Sequence, residues 1–75
     1  MIQELDRIVL TEDVPDYNLK SGDIGTVVLI HGENEGYEVE FVALTGETIA
    51  VVSLLPSQLR HIQRGEIAHV RMVEA

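Results

Sequence analysis

LKSGDIGTVVLI, residues 19–30, decides the fold. Gly22 and Gly25 bracket Asp23 and Ile24, and an unbroken Thr26-Val27-Val28-Leu29-Ile30 run follows. Glycine tolerates the tightly bent backbone of a sharp turn, and β-branched residues favour the extended chain after it. The stretch therefore reads as a diverging turn that launches the central strand of a small barrel.

Working outward, Leu5 to Thr11 reads as a first strand, with Ile8 and Leu10 on one face and Arg7, Val9 and Thr11 on the other. Glu12 to Lys20 has loop composition, and Pro15 forbids a central strand there. Val14, Tyr17 and Leu19 are the residues able to pin that loop to the barrel. Beyond His31, the turn Gly32-Glu33-Asn34-Glu35-Gly36 joins the central strand to Tyr37–Val42, which alternates Tyr37, Val39 and Phe41 with Glu38 and Glu40. Such alternation marks a half-buried strand.

Glu47 to Leu54 is the fourth strand. A two-residue Thr45-Gly46 turn would set Phe41 against Ala50 and Val39 against Val52. A three-residue Leu44-Thr45-Gly46 turn, with Gly46 left-handed, sets Phe41 against Ile49 and Val39 against Val51. The second puts the larger side chains inside and is the expected register, leaving Glu38, Glu40, Thr48, Ala50 and Val52 outside. Leu55 to Arg60 predicts a single 3₁₀ turn whose Leu59 plugs the barrel. Arg60 to Gln63 makes a short fifth strand. Ile67 to Val73 is either a sixth strand, which its Ile and Val content favours, or a tail docked on an edge. The expectation is one all-β domain over residues 1–75, a five- to six-stranded barrel with one 3₁₀ turn.

Composition narrows function. A chain of 75 residues buries only about 60–65% of its extended surface, which predicts a thin core with no deep substrate pocket of about 300 Å³ or more. There is no cysteine, which removes disulfides and thiol chemistry and points to a reducing cytoplasm. The start MIQELDRIVL lacks a basic, apolar signal-peptide pattern, and no run approaches a membrane span, so no membrane association is expected.

The formal charge is −8. Residues 1–55 carry eleven acids against Arg7 and Lys20, a balance of −9, whereas residues 56–75 carry Arg60, Arg64 and Arg71 against Glu66 and Glu74, a balance of +1. Nucleic acid is bound largely by neutralising phosphates with Lys and Arg, so this balance disfavours it. Acidity keeps small proteins apart in solution; the sharper reading is a surface that captures a basic protein.

No cofactor or metal is expected: His31, His61 and His69 have no single-strand or single-helix ligand spacing. No catalytic residue is expected either. Glu38 and Glu40 lie on an open sheet face that does not desolvate a general acid. Ser21, Ser53 and Ser57 have no histidine adjacent in sequence. Gly22-x-x-Gly25 precedes a strand rather than the helix a phosphate loop requires.

Partner-binding candidates remain. Asp13, Asp16 and Tyr17 lie in the first loop, where Tyr17 is either a lid on the core or an anchor in a partner. Glu33, Glu35, Glu38 and Glu40 form a second acidic strip.

Five short strands, a long first loop, a GD-x-GTV launch and a 3₁₀ turn before the last strand resemble the SH3-like barrel superfold. Ser21 through Ile30 also looks like the start of KOW-type modules, which contact RNA through basic loops; the loops here are acidic. ELDRIVLTED at Glu4–Asp13, LKSGDIGTVV at Leu19–Val28, YEVEF at Tyr37–Phe41 and GETIAVVSL at Gly46–Leu54 together resemble a family of small bacterial proteins of unknown function, frequent in cyanobacteria. That resemblance implies an SH3-like fold and a small protein encoded beside a larger partner, in some cases like a toxin and its antitoxin. The expected function is a non-enzymatic, cytoplasmic protein-binding module, such as the neutralising partner of a basic toxin nuclease. Alternatives are a structural subunit or homodimer built on the Ala50 and Val52 face or the Ile67–Val73 edge, and an RNA-binding KOW-like module.

Overall fold

The computed structural model describes residues 1–73. Five strands, β1 (Arg7–Leu10), β2 (Ile24–His31), β3 (Gly36–Val42), β4 (Thr48–Leu54) and β5 (Leu59–His61), form one antiparallel sheet in the order β4-β3-β2-β1-β5. Buried residues of both edge strands, Val52 and Leu54 on β4 and Leu59 on β5, belong to the same apolar cluster as Ile8, Val27, Val39 and Phe41. The sheet therefore curls over a single core.

The launching turn is built as the glycines require. Gly22 has φ 96°, its N–H donates to the Leu10 carbonyl (2.8 Å), and Asp23 N–H donates to the Lys20 carbonyl (2.9 Å). The Asp23 carboxylate accepts the Lys20 N–H at 2.8 Å and closes the turn from the other side. Gly25 serves a different purpose: β2 crosses β3 so closely there that a Cβ would stand 2.5 Å from Val39 Cγ1 and 2.8 Å from Phe41 Cε1.

The β3–β4 hairpin departs from the expected register after starting in it. Gly46 is left-handed (φ 99°), Ala43 N–H donates to the Glu47 carbonyl (2.8 Å), and Val42 pairs with Thr48, as the three-residue turn requires. A bulge at Ile49 then shifts the ladder by one, so Phe41 pairs with Ala50, Val39 with Val52 and Tyr37 with Leu54. Val52 and Leu54 are buried while Val51 is 50% exposed. The third pair decides this. Without the bulge Ser53 would face Tyr37 in the core and Leu54 would face water, exchanging a hydroxyl for a full leucine side chain. Ala50 is small enough to sit against the Phe41 ring.

Three other expectations are corrected. A second 3₁₀ turn, Pro15–Tyr17, lies in the first loop besides Pro56–Gln58. Its Pro at the first position and Asn18 at the left-handed C-cap (φ 58°) explain it. The fifth strand begins at Leu59 itself, which is buried. Ile67 to Val73 form no strand, so of the two readings the docked tail stands: residues 62–73 are an irregular strap tied to the domain at Glu66 and Arg71. With that segment unpaired, and with Ala50 and Val52 turned toward the core, neither surface expected for self-assembly has the predicted form.

Candidate protein-interaction surface

The bulge at Ile49 composes the outer face of β3. Leu29, Glu38 and Ser53 stand in one row across β2, β3 and β4, and Thr26, Glu40 and Val51 in the next. Each glutamate receives a hydroxyl from β4: Ser53 Oγ donates to Glu38 Oε2 (2.6 Å) and Thr48 Oγ1 donates to Glu40 Oε2 (2.7 Å). His31, diagonal to Glu38, brings Nε2 within 2.7 Å of the same Oε2. A carboxylate only accepts, so the imidazole carries its proton on Nε2. The Ser53 hydroxyl, reinforced by His31, holds the Glu38 carboxyl below its ordinary range against the opposing effect of burial.

This constellation contains a serine, a histidine and a glutamate in an order that does not activate a nucleophile. Activation needs hydroxyl to imidazole to carboxylate. Here both donors converge on one carboxylate oxygen, so the Ser53 proton points at Glu38. Its chemical consequence is an oriented anion with an apolar shoulder, since Leu29 beside Glu38 is 46% exposed, and Val51 beside Glu40 is exposed in the next row.

Glu33 and Glu35 continue the strip into the β2–β3 turn, both exposed. Asn34 fixes that turn by donating to the Tyr37 hydroxyl (3.0 Å) and the Ile2 carbonyl (2.9 Å). A cleft of about 290 Å³ between His31, Glu35, Glu38 and Leu55 adjoins the strip.

The first-loop candidates form a separate patch. Asp13 Oδ1 accepts the Ser21 N–H (2.9 Å) and so braces the loop, Asp16 lies exposed in the 3₁₀ turn, and Tyr17 is 45% exposed, outside the core cluster. Leu19, buried, and Val14, half-buried and bridged to Leu19, pin the loop instead.

Sequence reasoning missed what sits beside this patch. Arg71 of the strap donates from Nε to Asp23 Oδ1 (2.8 Å) and from an Nη to Asp23 Oδ2, and the same Nη reaches the Asn18 carbonyl (3.1 Å). Burial pushes the Asp23 carboxyl up, but Arg71 and the Lys20 N–H outweigh it and the net shift is downward. A cleft of about 390 Å³ opens between the loop, at Pro15 and Leu19, and the strap, at Arg71 and Met72. It is larger than the composition predicts because it lies between two segments on the surface and not within the core. A second fork, Arg60 to Glu66 (2.9 and 2.7 Å), ties the start of the strap to β5, and together with the Gln63 N–H it holds the Glu66 carboxyl at about 2.

Among the described residues no three His, Cys, Asp or Glu side chains are grouped to hold a metal ion, and no helix is long and apolar enough to cross a membrane. Neither a curated protein nor a solved structure matches the chain. A family model does match, and its span, residues 4–61, ends with β5 and leaves the strap outside. The five-stranded domain with its acidic β3 face thus belongs to the family described as "Domain of unknown function (DUF4926)".

Proposed function

We propose that the domain is a non-enzymatic protein-interaction module of SH3-like fold that binds a basic protein in the cytoplasm and neutralises it, as an antitoxin neutralises a toxin nuclease. The SH3-like reading is supported by the strand order and by the curl of the sheet over one core. The observation that carries the functional reading is the outer row of Glu38 and Glu40, oriented by Ser53 and Thr48 and bordered by exposed Leu29 and Val51. Lysine and arginine side chains, with apolar stems and cationic heads, complement such a face on both counts. Rim anions chiefly accelerate encounter, while the apolar shoulders slow dissociation. Absence of cysteine supports the reducing compartment.

The test is affinity capture from the native host at about 50 mM and 300 mM salt, comparing the wild-type chain with an E38Q/E40Q variant and with a D16N/Y17A variant. One strongly basic protein is expected at low salt, lost at high salt and lost with the glutamate variant. Loss only with D16N/Y17A moves the contact to the first loop. Failure to retain any basic protein, or retention indifferent to both variants, overturns the proposal.

A further inference from the structure

The strap is held at two points. Its start is tied by Glu66 to Arg60 on β5, and its far part is tied by Arg71 to Asp23 at the head of β2. Arg60, Val9 and Ile24 form one row across β5, β1 and β2, so the two anchors stand at opposite ends of that row. Between and beyond them the strap buries little: Ile67 is 92% exposed and Met72 85%. The contacts that tie it down are thus the Glu66–Arg60 fork at its start and the Arg71 head group in its far part.

The place where that head group lands has the features of a guanidinium receptor. Asp23 offers both oxygens to a planar fork, and the Asn18 carbonyl accepts a further contact. A lysine ammonium cannot reproduce this arrangement. The receptor is also built without Arg71: the Lys20 N–H holds the Asp23 carboxylate, and the Ser21 N–H holds Asp13 nearby. Pro15, Leu19 and Met72 line the adjoining cleft, with Met72 itself largely exposed.

We propose that the turn from Asn18 to Asp23 is an arginine-binding site for the basic partner, and that Arg71 occupies it as a tethered internal competitor. The inference rests on the reading of the domain as a module for basic proteins. The strap itself defines the ligand, an arginine side chain, since the guanidinium of Arg71 makes the contacts to the turn. A tethered ligand acts at an effective concentration of order millimolar, so an arginine presented in trans must compete with it. Because a partly exposed ion pair is weak, the strap yields to a ligand with further contacts. The strap begins at residue 62, just past the segment matched by the family model, so the competitor lies outside the matched five-stranded unit.

The experiment uses the 75-residue chain and the peptide GEIAHVRMV, copied from residues 65–73, titrated to about 5 mM while backbone amide resonances are followed by NMR. With an R71A chain, shifts are expected at Asn18 and Lys20 to Asp23, with affinity about three- to tenfold above that of wild type. A peptide with lysine replacing the arginine binds more weakly, and an R71A/D23N chain loses the gain. Absence of binding to R71A, equal binding of the two peptides, shifts outside the turn, or no gain over wild type each overturn the site. Capture of the basic protein through Glu38 and Glu40 uses other residues, so the module reading survives a negative result here and fails only by its own test.

Discussion

Gly25 lies directly under Val39: a methyl group in place of its Cα hydrogen would stand 2.5 Å from Cγ1, with Phe41 Cε1 at 2.8 Å and the Glu40 carbonyl at 3.1 Å. Valine is stiff at χ1, and the Phe41 ring fills the space behind, so neither neighbour gives way cheaply. Gly25→Ala is expected to cost about 2–3 kcal/mol. In a domain whose total stability is a few kcal/mol, this lowers the urea midpoint severely. A midpoint within experimental error of wild type would show that β2 and β3 are not so close.

The Ile49 bulge makes an ordered prediction along β4. Leu54→Ala should cost about 2–4 kcal/mol, because Leu54 is buried opposite Tyr37. Val51→Ala should cost less than about 1 kcal/mol, because Val51 faces outward. A ladder without the bulge reverses this order, so a pair of denaturation curves distinguishes the two registers.

Glu66 titrates well below its ordinary 4.5, at about 2, because Arg60 and the Gln63 N–H both favour the anion. Its folded-state value lies under its unfolded one, so its contribution to stability is present above about pH 4.5 and is lost as the pH falls through about 2. Carboxyl NMR titration should place the Glu66 midpoint near 2, and R60Q should return it toward 4.5. A Glu66 midpoint unchanged by R60Q would mean that the fork does not persist in solution.

Glu38 is also depressed, with Ser53 the larger cause and His31 the smaller. Ser53→Ala should therefore raise the Glu38 midpoint toward its ordinary value more than His31→Ala does, while the fold is kept because both side chains point away from the core. The reverse ranking would assign the orientation of this anion to the imidazole instead of the hydroxyl.

Much of the fold was legible where local chemistry acts alone. Alternation in Tyr37–Val42, the left-handed glycines at 22 and 46, and Pro56 ahead of a returning Leu59 each specify backbone within a few residues, and the structure agrees at each. The bulge was hidden because it follows from comparing whole strand faces: Ile49 and Val51 argue for one register, and Leu54 against Tyr37 argues for the other. Weighing that third pair would have revealed both the shift and the Ser53 hydroxyl beneath Glu38. Arg71 and Asp23 are 48 residues apart, and nothing in either neighbourhood marks them as a pair. Tyr17, read as lid or anchor, proved to lie outside the core, because Leu19 with Val14 already closes that end.

The bulge at Ile49 has a further effect on how the domain behaves at high concentration. β4 is an outer strand of the sheet, and a long straight border of unsatisfied amides would template growth of ribbons from one molecule to the next. One surplus residue near its beginning bends that border and shortens its regular run to Ala50–Leu54, so an incoming strand finds less continuous ladder to extend. The same distortion that selects which side chains enter the core thereby works against edge-to-edge growth.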